Sequence, residues 1–199
     1  MKNYLIIFIY CFLFVTQIQF CFADELIIYS DQDVLYKDGS KWKNAVESWM
    51  NPKWISIEGA KWIWSSYLVQ NPMVEEIFVF QSKFNIPENA DLNTIQATID
   101  ISADNRAEIT LNNKYVGYFD SFTSTKSFDL KSIVEKGENI FEFQVKNYVC
   151  SLANCNSEDN PAGFLFKAVI SYELLIDDDD DNDNGGSGCF ISAIRPNQH

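Results

Sequence analysis

Apolar and polar residues alternate through the middle of the chain, between residues 94 and 103. A period of two places successive side chains on opposite faces of a β-strand, so that one face enters a core and the other meets water. The apolar positions of this segment are Ile95, Ala97, Ile99, Ile101 and Ala103. The pattern therefore predicts a half-buried strand in an antiparallel β-sandwich.

Other segments repeat this alternation, and together they predict an all-β domain of about eight strands over residues 24–176, without a long helix. The expected strands cover residues 25–29, 61–64, 77–86, 94–103, 107–111, 114–119, 141–145 and 164–172. Residues 31–61 are expected to be less regular. Residues 128–139 predict one helical turn, with Asp129 as its cap and Gly137 in the left-handed conformation at its end.

Asn112 and Asn113 stand between two expected strands and predict a two-residue hairpin turn. Asparagine tolerates the positive φ that such a turn requires, because its short amide side chain bonds to nearby backbone. The segment from Ala103 to Gly117 is therefore expected to form a strand, a sharp corner and a hairpin.

Residues 1–23 are interpreted as a secretory signal peptide. Lys2 supplies the positive start, Leu5 to Val15 are almost wholly apolar, and Ala23 is a small residue at a plausible cleavage point. The apolar run is short for a membrane span. An uncleaved anchor and a lipoprotein signal with Cys21 as the lipidated residue are the alternatives.

Acidic residues dominate the charge of the chain, which is −13 at neutral pH. Such a surface repels phosphate backbones, so nucleic-acid binding is not expected. It favours solubility outside the cell and tolerates divalent cations.

The chain has five cysteines, of which Cys11 and Cys21 fall within the expected signal peptide. Cys150 and Cys155 flank a short polar loop and predict a local disulfide in an exported protein. Two free thiols are the alternative. Cys189 is then left without a partner.

The chain resembles the galactose-binding-domain-like jelly rolls of exported bacterial proteins, including accessory domains attached to glycoside hydrolases. The segments that carry the resemblance are Gly59–Trp64, Ala103–Asn105, Leu111–Asn113, Asp129–Leu130, Gly137–Asn139 and Asn160–Phe164. Asn113 departs from the glycine that the family often has. The resemblance implies a jelly-roll sandwich that binds carbohydrate or mediates attachment, with loops at one end in contact with the ligand and, in many members, a structural calcium.

Catalytic residues are scarce. The single histidine is the last residue, His199, which excludes a histidine-dependent triad and the usual zinc sites. No nucleotide-binding fingerprint is present. A pair of carboxylates acting on a glycosidic bond is not excluded, but no acidic residue stands out by its context. We therefore expect a protein that is not an enzyme.

Tryptophans are the first candidates for ligand contact, because an aromatic face stacks on the apolar face of a sugar. Trp62 and Trp64 lie in a strand pattern and are expected in the core. Trp42 and Trp49 lie among charged residues and are the better candidates for an exposed platform.

Asp104 and Asn105 follow the central strand and allow two interpretations. Asp104 either contacts a ligand or metal, or both side chains bond to backbone at the corner. Calcium binding is also possible at Asp31–Asp33 and, weakly, along Asp177–Asp183.

Residues 177–199 are expected to form an acidic, glycine-rich flexible tail, because five consecutive aspartates from Asp177 offer nothing to bury. The segment around Cys189 resembles a bacterial C-terminal sorting segment in which the cysteine would be the anchoring point. A free thiol or an intermolecular disulfide is the alternative. No transmembrane span is expected after signal cleavage.

The favoured hypothesis is a secreted or cell-surface binding module that recognises carbohydrate. The alternative is a structural or adhesion protein that contacts a cell-surface protein and binds no sugar.

Overall fold

Two antiparallel sheets of six strands each build the fold in the computed structural model, which describes residues 23–175. In chain order the strands are β1 (Asp24–Tyr29), β2 (Leu35–Asp38), β3 (Lys41–Asn44), β4 (Val46–Glu47), β5 (Ile63–Trp64), β6 (Glu76–Ile86), β7 (Ala90–Asp104), β8 (Arg106–Leu111), β9 (Lys114–Phe119), β10 (Lys126–Asp129), β11 (Gly137–Asn147) and β12 (Gly163–Leu174). The predicted signal peptide before Ala23, Cys189 and the acidic tail lie outside the described residues.

The first sheet has the order β10-β7-β12-β5-β4, and β1 also pairs with β12. The second sheet has the order β3-β2-β6-β11-β8-β9. The chain passes from the first sheet to the second at Asn105, between β7 and β8. This architecture confirms the predicted all-β antiparallel sandwich.

The prediction of about eight strands was too low, because residues 23–175 contain twelve. The strands β2, β3 and β4 lie in the segment that was expected to be irregular, and β10 was also missed. Each of them has only two to four residues, and most of their side chains are exposed. Such segments are too short and too polar to show a clear alternation.

The expected helical turn is also absent from the described part of the chain, where residues 131–133 form a hydrogen-bonded turn instead. Asp129 caps this turn, since its Oδ1 accepts a hydrogen bond from the Lys131 N–H at 2.8 Å. Gly137 has a φ of 78°, as predicted for a left-handed glycine, and β11 begins there.

No helix of the described residues is long and apolar enough to cross a membrane.

Phenylalanine rings from both sheets meet in the core. Phe80 of β6 faces Phe164 of β12, and their ring centroids are 4.8 Å apart. Phe143 of β11 faces Phe166 of β12, and their ring centroids are 4.6 Å apart. Trp64 packs beside Phe80, at 5.7 Å. All five side chains have no exposed surface. Because aromatic residues bury large apolar areas, this cluster contributes to the hydrophobic stabilisation between the sheets.

The β8–β9 hairpin turns at Asn112 and Asn113, whose φ values are 52° and 62°. The positive angles agree with the predicted turn. The side-chain contacts differ from the expectation, however. The Asn112 amide bonds to Asn139, at 2.8 Å, and to the backbone of Ile140, at 2.9 Å, so it ties the turn to β11 rather than to its own backbone.

Candidate functional site

The outer face of the second sheet carries a polar surface, which we call the polar face. It is defined by Gln81 of β6, Glu108 and Thr110 of β8, and Glu142 and Gln144 of β11. The strand register places Glu142 directly between Gln81 and Thr110, and Gln144 beside Glu108. Opposed side chains of neighbouring strands are close enough to contact one ligand together.

Two depressions lie along the polar face. One has a volume of about 280 Å³ and includes Gln81, Ile140 and Glu142 among its lining residues. The other has a volume of about 210 Å³ and includes Arg106, Glu108 and Gln144. The sheet surface is therefore concave on both sides of the Glu142–Gln144 segment.

Three side chains at the centre of the polar face have no protein partner within residues 23–175. Gln81, Glu142 and Gln144 make no side-chain hydrogen bond or ion pair there. They offer two amide groups and one carboxylate, which can together donate and accept hydrogen bonds. A ligand with several hydroxyl groups fits this set of donors and acceptors.

Three cations on the strands that carry these side chains, or next to them, are already paired with carboxylates. The Arg106 guanidinium lies 2.9 Å from Glu108, and the Lys83 ammonium lies 3.2 Å from Glu138. The Lys146 ammonium lies 3.1 Å from Glu75. Hydrogen bonding to Glu108 raises the pKa of Arg106 above its ordinary value. The centre of the face is consequently polar with an excess of negative charge.

Aromatic rings border the polar face on the β9 side. Tyr115 and Tyr118 of β9 stand opposite Thr110 and Glu108, and their exposed fractions are 61% and 43%. The Arg106 guanidinium lies over the Tyr118 ring, 4.0 Å from its centroid. This contact covers one face of the Tyr118 ring and holds the ring beside Glu108.

The two tryptophans that the sequence favours for ligand contact lie on different sheets. Trp42 belongs to β3 at the edge of the second sheet, is 39% exposed and has the Lys37 ammonium 6.0 Å from its ring centroid. Trp49 follows β4 at the edge of the first sheet and is partly buried. The two rings therefore do not form one platform. Trp62 and Trp64 are buried, as expected for core residues.

Asp104 is buried on the outer side of the first sheet, with 6% of its surface exposed. Its Oδ2 accepts a hydrogen bond from the Trp54 indole N–H at 2.9 Å, and its Oδ1 accepts one from the Asn105 amide at 2.8 Å. Burial raises the pKa of Asp104 to about 6, although the bond from Trp54 opposes this shift. Both carboxylate oxygens are used within the protein, so the arrangement supports a structural role at the corner.

Asn105 joins this corner to a neighbouring loop. Its Oδ1 accepts a hydrogen bond from the Tyr148 N–H at 2.6 Å, and its own N–H donates to the Lys146 carbonyl at 3.1 Å. The side chain thus bonds to backbone, as one of the two sequence interpretations describes.

The loop after β11 contains the disulfide that the sequence predicts, between Cys150 and Cys155. The Cys150 N–H also donates to the Pro72 carbonyl at 2.9 Å, and the Asn160 amide donates to the same carbonyl at 3.3 Å. These bonds attach the loop to the segment before β6.

Opening this disulfide is expected to lower the free energy of unfolding by about 2 kcal/mol, because the ring is small and the loop-entropy contribution grows with loop length. Denaturant titrations of the wild-type protein with and without a reductant measure the change. A Cys150→Ser, Cys155→Ser double variant is the control and should not respond to the reductant. A wild-type protein that loses its fold completely on reduction would contradict this expectation.

No group of three or more metal-binding side chains occurs in the part of the chain that the structure describes. Asp31 uses its Oδ1 to accept a hydrogen bond from the Asp33 N–H at 2.9 Å, which stabilises a turn. The Asp31–Asp33 segment therefore contains no preformed cluster of calcium ligands. The other predicted calcium segment, Asp177–Asp183, lies outside the described residues.

Sequence reasoning missed the polar face. The alternation that identified β6 and β11 also marked Gln81, Glu142 and Gln144 as outward-facing, but many solvated side chains share that pattern. Only the register brings the three side chains together.

Comparisons with solved structures find partial similarity between this chain and several glycosidases. Neither a family model nor a curated protein matches it. Among solved structures, an FMN-binding β-glucuronidase from Facaelibacterium prausnitzii L2-6 is 13% identical with a TM-score of 0.48, over 74% of this chain and 23% of that one. A putative β-galactosidase from Bacteroides fragilis is 12% identical with a TM-score of 0.48, over 73% of this chain and 23% of that one.

A β-glucuronidase from Bifidobacterium dentium is 16% identical with a TM-score of 0.46, over 75% of this chain and 30% of that one. The chain thus spans less than a third of each of these three proteins. At such values the likeness carries no inference about activity.

Proposed function

We propose that this protein is a non-catalytic, exported binding module that recognises carbohydrate on the polar face of its second sheet. The observation that carries the proposal is the set of unengaged polar side chains at the centre of that face, Gln81, Glu142 and Gln144. Planar amide and carboxylate groups suit the paired hydroxyl groups of a sugar ring, because each can donate to or accept from two of them.

The exposed tyrosines support the same interpretation. A sugar lying on the polar face would reach Tyr115 and Tyr118 at its border, where an aromatic ring can pack against the C–H groups of the sugar. Export is supported by the Cys150–Cys155 disulfide, since such bonds persist in oxidising compartments.

A protein partner without sugar binding is the second candidate. Four exposed apolar side chains, Met73, Val74, Val149 and Leu152, lie in the two loops that the Cys150–Pro72 bond joins. Exposed apolar groups at neighbouring loops favour contact with another protein.

Replacing Gln144 by alanine is expected to weaken glycan binding about fivefold, since the loss of one hydrogen-bonding group costs about 1 kcal/mol. A glycan array first selects a ligand for the wild-type protein, and calorimetry then measures Kd. The matched control is Gln96→Ala, which removes an exposed glutamine of β7 from the first sheet.

A Kd that rises for Gln144→Ala and is unchanged for Gln96→Ala would support the site. An array without any ligand would contradict carbohydrate recognition and favour the protein-contact candidate. Equal effects of the two variants would show that the sugar does not bind on the polar face.

A further inference from the structure

The polar face has one carboxylate at its centre that no cation neutralises within residues 23–175. Glu142 stands between Gln81 and Thr110, and no ion pair involves its side chain. Arg106, Lys83 and Lys146 on the same and neighbouring strands each contact a different carboxylate, and Lys37 of β2 lies over the Trp42 ring at the edge of the sheet. The negative charge of Glu142 therefore favours some classes of sugar over others at this face.

An acidic sugar meets repulsion on this surface. Its carboxylate would approach the unpaired carboxylate of Glu142, and the protein as a whole carries a charge of −13. Like charges at contact distance destabilise a complex, and a net charge of this size repels anionic ligands at longer range.

A protonated amine has the opposite effect. It can donate hydrogen bonds to the Glu142 carboxylate and to the amide oxygens of Gln81 and Gln144, which the described residues leave free. Hydrogen bonds between charged partners are stronger than neutral ones. The remaining hydroxyl groups of the sugar can use the amide N–H groups of the same two glutamines.

Resting on the function proposed above, we propose that the polar face selects glycans whose sugars carry a protonated amine, as in oligomers of glucosamine. Glu142 is the residue that determines this preference, and Gln81 and Gln144 hold the sugar regardless of its charge.

Calorimetry with three tetrasaccharides tests the proposal. One is a tetramer of glucosamine, the second of N-acetylglucosamine and the third of galacturonic acid. The measurements use about 0.15 M salt, where attraction to the overall charge of the protein is largely screened. The wild-type protein should bind the glucosamine tetramer about fivefold more tightly than the N-acetylated one, and the galacturonic acid tetramer least, as expected for one solvent-accessible ion pair.

Glu142→Gln should remove the preference for the amine while it preserves binding of the N-acetylated tetramer. Glu25→Gln is the matched control, because it makes the same change of charge on the exposed face of β1 in the first sheet. It should leave the preference intact.

Equal affinity of the wild-type protein for the two glucosamine-based tetramers would overturn the selectivity and leave glycan binding standing. A preference that survives Glu142→Gln, or that Glu25→Gln removes equally, would also overturn it. Absence of binding by every tetramer, together with a silent glycan array, would instead refute the proposed function itself.

Discussion

Replacing Asn139 by alanine is expected to lower the free energy of unfolding by about 3 kcal/mol or more. Asn139 has no exposed surface. Its Nδ2 donates to the carbonyls of Glu135 and Gly137, at 2.6 and 3.0 Å, and its Oδ1 accepts from the Glu135 N–H at 2.9 Å. A fourth bond, of 2.8 Å, comes from the Asn112 amide.

The expected loss is large because the variant leaves these partners buried without a hydrogen bond. An unsatisfied buried donor or acceptor costs about 1–3 kcal/mol, which exceeds the net value of the bond when it forms. Asn139 joins the turn before β11 to the β8–β9 hairpin, so both turns lose their common support. Urea denaturation, followed by tryptophan fluorescence, measures the change.

Asn85→Ala is the matched control, since it removes an exposed asparagine from β6, opposite Glu138. It should change stability by less than about 0.5 kcal/mol. Asn139→Asp gives a second test, because a carboxylate would direct an oxygen towards the two carbonyls that now accept hydrogen bonds. This variant should be less stable than the wild-type protein at neutral pH. Equal stabilities of Asn139→Ala and Asn85→Ala would contradict the role of the buried amide.

Long alternating segments made the sandwich predictable from the sequence. In β7 the apolar residues from Ile95 to Ala103 recur at every second position, and these residues belong to the core. This signal is local, because the strand itself fixes which side chains share a face. The two asparagines of the hairpin were predictable for the same reason, since the turn requires only their own backbone angles.

Contacts between distant segments could not be predicted in this way. The polar face depends on the pairing of β6 with β11, which sets Gln81 opposite Glu142. Neither residue is unusual in its own segment. The partner of Asp104 shows the same limit, because Trp54 precedes it by 50 positions in the chain. The sequence indicated a ligand or the backbone as partner for Asp104 and offered no sign of an indole.

The buried corner of Asp104 also governs how stability depends on pH. Trp54 and Trp62 pack with their ring centroids 4.2 Å apart and their planes tilted by 31°, and with Leu165 they form a small core on the outer side of the first sheet. Asp104 contacts this core through the Trp54 indole. Its carboxylate is therefore removed from water, and burial raises its pKa from 3.8 to about 6.

A raised pKa means that the folded protein binds a proton more readily than the unfolded chain does. The contribution of Asp104 to stability is therefore greatest below pH 3.8 and is lost as the pH rises through about 6. At neutral pH the buried charge costs about 3 kcal/mol relative to the protonated acid, from about 1.4 kcal/mol for each pKa unit.

Asp104→Asn is expected to remove this pH dependence, because asparagine is neutral throughout the range. The free energy of unfolding of the variant is subtracted from that of the wild-type protein at each pH from 4 to 7. The subtraction cancels the other acidic groups, which both proteins share. The difference should fall by about 2.4 kcal/mol between pH 4 and 7, with most of the change below about pH 6.

Asp120→Asn provides the matched control, since it makes the same replacement at an exposed position. Trp54→Phe separates the hydrogen bond from the burial. Loss of the indole N–H removes the interaction that lowers the pKa of Asp104, so the pH dependence of that variant should move to higher pH than in the wild-type protein. A wild-type minus Asp104→Asn difference that stays constant from pH 4 to 7 would show that the Asp104 carboxylate does not take up a proton on folding.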